Sequence, residues 1–264
     1  MKVVLFCGGQ GMRIRDYADN IPKPMVPLGD RPVLWHLMKY YAHYGHKDFI
    51  LCLGYKGDVI KRYFLNYDEW LTNDFVLTGD GAKPKLLRTD IHDWKITFVD
   101  TGHRSSIGER LKAVEPYLLG EEVFLANYSD GLTDLPIPRQ LSFFKRKGKI
   151  GCFLCVRPTQ SVHAVRLNGG DDVTGIEDLA TLGVWINGGF FIFTPEVFKY
   201  IRPGEDLVGE PLRRLAARKQ LVGYKNKGFW ACMDTYKEKQ RLDDLLTGGN
   251  APWLVWSAKN GGTE

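Results

Sequence analysis

The chain has 264 residues, with 36 lysines and arginines against 31 acids, a formal charge of +5 and a pI near 8.8. That length suits one sizeable core, so a single domain, 1–264, is expected. The cations are scattered, the densest run (Lys145-Arg146-Lys147 with Lys149) reads as a solvated helix end, and no apolar stretch is long enough to span a bilayer. Nucleic-acid and membrane partners are therefore not expected.

The first element, Val3–Phe6, reads as a buried strand, too short and too close to glycines for a signal peptide. It runs into Gly8, Gly9 and Gly11, then Met12 and Arg13. A glycine turn there lets backbone N–H groups close on a phosphate without Cβ clashes. Lys23 follows, its backbone held extended between Pro22 and Pro24. No Gly-Lys-Ser/Thr follows the glycines, and Ile14 stands where a dinucleotide fingerprint needs its third glycine. The glycines alone also fit a plain tight turn. Two cations beside them favour a nucleoside triphosphate.

Apolar runs then alternate with helical stretches. Strands are expected at Phe49–Leu53, Ile96–Val99, Val123–Ala126 and Ile150–Val156, and helices at Val33–Tyr44, Val59–Leu65, Gly108–Tyr117 and Pro138–Arg146. This alternation predicts an α/β fold, a mostly parallel sheet covered on both faces, with ligands at the carboxyl ends of its strands. Residues 66–93 interrupt it, polar and with a hairpin expected around Gly79-Asp80-Gly81, and read as an insertion or lid. From Ala164 the chain becomes strand-rich (Ala164–Leu167, Val173–Ile176, Val184–Phe193), and 235–264 holds a last helix, Thr235–Leu246, and a tail. The five cysteines (Cys7, Cys52, Cys152, Cys155, Cys232) are odd in number and lie in apolar stretches. They read as reduced, buried thiols of a cytoplasmic protein.

Two carboxylates complete the candidate site. Asp130 follows the strand Val123–Ala126 and precedes a glycine, a position that can hold a hard cation over a cleft or form an ordinary turn. Asp234 opens the last helix and fits either a metal ligand or the helix N-cap.

Several segments together resemble the sugar-1-phosphate nucleotidyltransferases, nearest their cytidylyl branch. They are Gly8–Arg13, Pro22–Met25, Pro32–Met38, Lys47–Ile50, Gly54–Gly57, Val99–Gly102, Arg110–Lys112, Ile186–Phe191, Gly228–Trp230 and Met233–Thr235. The resemblance implies a Rossmann-like, glycosyltransferase-A-like fold with a strand-rich acceptor-binding part. It implies transfer of a cytidylyl group from CTP to a sugar 1-phosphate, glucose 1-phosphate first, giving a CDP-sugar and pyrophosphate. Arg13 and Lys23 are then the catalytic cations, and Asp130 and Asp234 the ligands of Mg²⁺. Gly8, Gly9, Gly11, Met12, Arg13, Lys23, Thr101, Gly102, Gly108, Arg110 and Ser129 are expected to bind the nucleotide. Tyr128, His163, Arg166, Glu177, Asp178, Asn187 and Gly188 are expected at the acceptor. A homo-oligomer is also expected.

The chain departs from the family pattern in three places. Met12 replaces a threonine of the phosphate loop. His103–Glu109 reads differently from the base-side segment Asp-Ser-Ser-Met-Thr-Gly-Gly. Glu177-Asp178-Leu179 stands where Glu-Lys-Pro is expected, which removes a phosphate-binding lysine. His163 and Arg166 are the candidate compensating cations. A different phosphorylated acceptor and a non-catalytic nucleotide-binding relative are the alternatives.

Overall fold

Alternate residues of the first strand enter two separate cores, and that division organises the molecule. The computed structural model describes residues 1–9, 21–79, 84–158, 162–179 and 181–257. After β1 (Lys2–Phe6), a short pair β2 (Pro27–Leu28) and β3 (Arg31–Pro32) leads into α1 (Val33–His43). Then come β4 (Asp48–Leu53), α2 (Gly57–Leu65), the paired β5 (Phe75–Val76) and β6 (Lys85–Leu86), β7 (Lys95–Asp100) and α3 (Ile107–Ala113). The middle of the chain forms β8 (Phe124–Tyr128), β9 (Gly131–Thr133), α4 (Ile137–Lys147) and β10 (Gly151–Val156), followed by the ribbon of β11 (His163–Leu167) and β12 (Val173–Asp178). Last are β13 (Ile186–Asn187), β14 (Phe191–Phe193), α5 (Glu210–Ala217), β15 (Leu221–Lys225), β16 (Trp230–Cys232) and α6 (Tyr236–Thr247).

The main sheet places β7, β4, β1 and β8 side by side and parallel. β14 joins β8 antiparallel, β10 runs antiparallel to β14 and β13, and β15 lies parallel along the other edge of β10. All the strands except β13 and β14 therefore end on the same edge. Val3, Leu5, Phe49, Leu51 and Leu125 point to one core, capped by α1, α4 and Trp253. Val4, Phe6, Ile50, Cys52, Phe124 and Ala126 point to the other, under Leu111 of α3 and Leu212 and Leu215 of α5. The period-two alternation of a strand delivers both sets at once. Each fully buried leucine or phenylalanine stabilises the fold by about 1.5–3 kcal/mol through removal of apolar surface from water.

The expected strands and helices through Lys147 are present, with one early stop. The helix expected over Gly108–Tyr117 ends at Ala113, and Glu115–Leu118 continues as a tighter 3-10 turn carrying Pro116. Proline has no N–H for the helical ladder, which accounts for the change. The strand expected over Val184–Phe193 is split into β13 and β14. Gly189 (φ +76°) and Phe190 (φ +47°) turn the backbone out of the pleat, and the Phe190 amide donates to Asn127 Oδ1 at 2.8 Å. A side chain at Gly189 would meet that oxygen at 2.4 Å. Of the hairpin expected around Gly79-Asp80-Gly81, β5 and β6 pair as its arms, while Asp80 and Gly81 lie outside the described residues.

Residues of the 66–93 segment are anchored to the body by Arg31, which is 3 % exposed. Its guanidinium donates to the Asp68 carbonyl (2.8 Å) and Thr72 Oγ1 (2.7 Å), pairs with Asp90 at 3.4 Å, and lies 4.4 Å from the Tyr67 ring centre. Beside it, α1 carries His36, whose Nε2 is 2.9 Å from the Leu28 carbonyl. Trp253 Nε1 donates to its Nδ1 at 3.4 Å, so the neutral ring carries its proton on Nε2 and donates to Leu28.

Burial, aided by the Arg31 charge, holds the His36 pKa down at about 4, from an ordinary 6.5. Between those values the unfolded chain binds a proton that the folded ring refuses. Stability is thus fully present above pH 6.5 and declines as pH falls toward 4. The loss amounts to about 3 kcal/mol for this residue. His46, lowered to about 4 by burial and by the α-amino charge, adds a loss of the same sign. Urea denaturation at pH 7 and pH 4.5 should show a clearly smaller drop in His36→Gln than in the parent chain. Equal drops would mean that His36 titrates normally in the fold.

Candidate active site

The carboxyl end of β1, continued by Cys7, Gly8 and Gly9, lies above a buried arginine. Arg110 of α3 is 2 % exposed, and its Nη1 donates to the carbonyls of Leu53 (3.0 Å) and Gly102 (2.8 Å) and to Thr101 Oγ1 (2.7 Å). Nη2 donates to the Gly8 carbonyl at 3.0 Å. One guanidinium therefore ties together the ends of β1, β4 and β7. Thr101 adds a hydroxyl bond to Leu53 O, and Ser129 binds Phe6 O at 2.9 Å, which brings in β8. Gly8 has no alternative here, since a Cβ would sit 2.1 Å from the Arg110 guanidinium. A Cβ on Gly9 meets nothing within 4 Å among the described residues.

Several residues expected at the nucleotide thus lie beneath the turn. Gly8, Thr101, Gly102, Arg110 and Ser129 form one hydrogen-bonded floor. Gly108 instead packs against the chain at Glu205–Leu207, where a Cβ would sit 2.2 Å from the Glu205 carbonyl oxygen. Gly11, Met12 and Arg13 lie outside the described residues.

Lys23 stands beside this floor, at the start of a 3-10 turn with Pro22 before it and Pro24 within it. Its ammonium pairs with Asp130 and, at 2.5 Å, with Asp234. The two carboxylates meet because β9 pairs antiparallel with β16, Gly131 opposite Cys232. One residue further on, the Met233 amide donates to the Asp130 carbonyl at 3.0 Å, so Asp130 and Asp234 emerge side by side. Burial alone pulls an ammonium pKa down, but the neighbouring carboxylates, Asp130 foremost, overcome this and hold Lys23 above the ordinary lysine value. It stays charged throughout the neutral range.

The N-cap alternative for Asp234 is overturned. Thr235 caps α6 in a reciprocal capping box with Glu238, whose carboxylate also accepts from the Asp234 amide at 2.9 Å. Threonine fills the cap geometry at the next position, which leaves the Asp234 carboxylate turned to Lys23. Cys232, unassigned by the sequence, lies with them. Asp130, Cys232 and Asp234 each present one ligand atom within 4.8 Å of the others. Burial and then the Asp130 charge push its thiol pKa far up, so it is an uncharged neighbour. Two carboxylate oxygens that already enclose an ammonium suit a hard divalent cation, whereas the thiol does not.

On the acceptor side, Asn187 Nδ2 donates to the Tyr128 hydroxyl at 3.3 Å, and its Oδ1 accepts from the Gly189 amide. Trp230 Nε1 donates to the Gly188 carbonyl at 2.9 Å, which links this corner to β16. His163 and Asp178 face each other across the β11–β12 ribbon. Arg166 pairs with Glu177 at 2.9 Å in an exposed position, so the charge expected to compensate for the missing lysine already has a carboxylate partner. Sequence reasoning did not single out Trp230, Cys232, or the group formed by Arg157, Trp185 and Lys225.

No family model matches the chain. Its backbone is similar to that of a UDP-glucose pyrophosphorylase complexed with UDP-glucose, with a TM-score of 0.69 at 17 % identity, covering 94 % of this chain and 98 % of that one. The fold is that of the sugar-phosphate nucleotidyltransferases. In sequence, the chain is 38 % identical over 257 residues to a glucose-1-phosphate cytidylyltransferase of Salmonella typhimurium. It is 36 % identical over 258 residues to a protein of Bacillus subtilis named "Probable glucose-1-phosphate cytidylyltransferase". Each match covers 97 % of this chain and 100 % of the relative. The chain belongs to the glucose-1-phosphate cytidylyltransferase family.

The two first glycines differ in a way that can be measured. Gly8→Ala should lower stability by several kcal/mol, or about 10 °C or more in Tm, because Arg110 must move and leave buried carbonyls unpaired. Gly9→Ala should stay within about 0.5 kcal/mol of the parent chain. Thermal melts showing equal losses would contradict the Arg110 floor.

Proposed function

We propose that the chain transfers the cytidylyl group of CTP to the phosphate of glucose 1-phosphate, releasing pyrophosphate. The observation that carries this reading is Lys23 held between Asp130 and Asp234, in a chain related over its full length to enzymes named for that reaction. An oxygen of the acceptor phosphate attacks the α-phosphorus in line. The bond from that phosphorus to the bridging oxygen of the β-phosphate breaks, and its electron pair leaves with pyrophosphate. Such a reaction needs two anions brought together and their charge neutralised, more than covalent participation by the protein.

In this reading the turn at Gly8 and Gly9 receives the triphosphate, Arg13 and Lys23 clamp it, and Asp130 and Asp234 hold Mg²⁺. Bound there, the ion screens phosphate oxygens from one another and from the attacking oxygen. With the carboxylates neutralised in that way, the Lys23 ammonium would be available to the phosphates. Tyr128 and Asn187 orient the acceptor. No described helix is long and apolar enough to cross a membrane. We place the reaction in the cytoplasm, where nucleoside triphosphates are held. Apolar side chains exposed on the ribbon (Val165, Leu167, Val173, Ile176) support a homo-oligomer.

A second reading, a different phosphorylated acceptor, is favoured by Asp178, an acid where the family pattern has a lysine. Pyrophosphate release across a matrix of nucleoside triphosphates and phosphorylated acceptors separates the two. CTP with glucose 1-phosphate should be the best combination, and calorimetric CTP affinity no tighter than that for UTP or dTTP would overturn the cytosine assignment. Lys23→Ala and Asp234→Asn should each lower kcat by about 10²-fold or more, since each removes charge stabilisation in the transition state. A variant that keeps the parent rate has lost nothing catalytic, and its residue would then need another role.

A further inference from the structure

Arg157, just beyond β10, and Lys225, at the end of β15, converge on one aromatic ring. The Arg157 guanidinium lies 4.2 Å from the centre of the Trp185 ring and Lys225 Nζ lies 5.4 Å from it. Arg157 Nη1 also donates to the Val184 carbonyl at 3.1 Å. Register explains the meeting. Cys155 pairs with Asn187 on one side and with Lys225 on the other. Arg157 lies two residues beyond Cys155, and Trp185 two residues before Asn187. Strand alternation thus puts Arg157, Trp185 and Lys225 on the sheet face that carries Asn187.

That face belongs to the acceptor side. β13 pairs with the same edge of β10 as β14, and β14 pairs with β8, so both cations, leaning over Trp185, lean toward the β8 side of β10. Asn187 itself reaches the Tyr128 hydroxyl, two residues before Asp130. Neighbouring strands are about 4.8 Å apart, which places the end of β10 about 10 Å from that of β8. A long cationic side chain crosses much of that interval.

Three other positive side chains at this end of the sheet already have partners. Lys23 has two carboxylates, Arg166 has Glu177, and Arg110 has four oxygen acceptors. Among the described residues, no carboxylate forms an ion pair with Arg157 or Lys225. Their like charges repel, and the negative face of the Trp185 ring offsets this only in part. An anion seated between them would complete the arrangement, because guanidinium and ammonium donors both suit phosphate oxygens.

We infer that Arg157 and Lys225, held over Trp185, form the seat for the phosphate of the acceptor, the role for which the segment Glu177-Asp178-Leu179 supplies no cation. The inference rests on the function proposed above and names the residues of its acceptor half. Removal of one charged hydrogen bond to a phosphate costs about tenfold or more in affinity.

The test is steady-state kinetics at saturating CTP with glucose 1-phosphate varied. Arg157→Ala and Lys225→Ala should each raise the acceptor KM about tenfold or more, and Arg157→Lys and Lys225→Arg should recover most of it. Calorimetric CTP affinity should stay within about twofold, which a general structural defect would not allow. An unchanged acceptor KM in both alanine variants overturns the seat, and so does a parallel loss of CTP affinity. If the parent chain releases no pyrophosphate from CTP with any phosphorylated acceptor, the functional reading fails on its own, and equilibrium binding still decides the seat. Glucose 1-phosphate should then change the tryptophan fluorescence where neutral glucose does not, and the change should vanish in Trp185→Phe and in the Arg157→Ala, Lys225→Ala double variant. A response that survives both substitutions refutes it.

Discussion

Two carboxylates at hydrogen-bonding distance from one ammonium are the constraint around which this molecule is arranged. Asp130 and Asp234 would repel each other in a half-buried pocket if nothing positive lay between them, and burial strengthens that repulsion. Lys23 supplies the charge, from a segment whose prolines hold the backbone still. The three residues belong to distant parts of the chain. What unites them is the main sheet, which places the start of the chain beside β8, and the small β9–β16 pair, which brings Asp234 to Asp130. A pocket built this way already accommodates a positive charge.

Arg110 performs a related task one layer below. Parallel strands end with unpaired carbonyls, and three of the four elements meeting here leave theirs at one point. A guanidinium has enough donors, in a fixed plane, to satisfy several at once. The surface above it can then be shaped by glycine alone, because the stiffness comes from beneath. A Cβ on Gly8 would meet that guanidinium, whereas one on the adjacent Gly9 meets nothing within 4 Å among the described residues.

The sequence made the parallel half of the fold readable because β1, β4 and β8 are apolar runs buried on both faces, and helices of ordinary length separate the strands. The later elements carried weaker signals. β16 is three residues long, β15 has a glycine at its centre, and α5 follows a loop rich in charge, so none stands out by periodicity. The break between β13 and β14 depends on Asn127, more than sixty positions earlier, and no local pattern announces it. Of the site, Lys23, Asp130 and Asp234 were visible as residue types at strand and helix ends. That Asp234 leaves the capping of α6 to Thr235 needed the backbone. The group around Trp185 was hidden for a further reason: its three members come from three segments and meet only through strand register.

The pairing of β9 with β16 also bears on how the protein is made. While the ribosome is still adding residues near Lys225, the nascent chain contains Lys23 and Asp130 but not the strand that pairs with β9. The second carboxylate arrives with Met233 and Asp234, in the same short stretch that supplies β16. Domains tend to acquire structure as they emerge, N-terminal parts first. A nascent chain could therefore assemble most of its sheet well before it owned a complete cation pocket. The second carboxylate of the pocket thus waits for three residues of β-ladder.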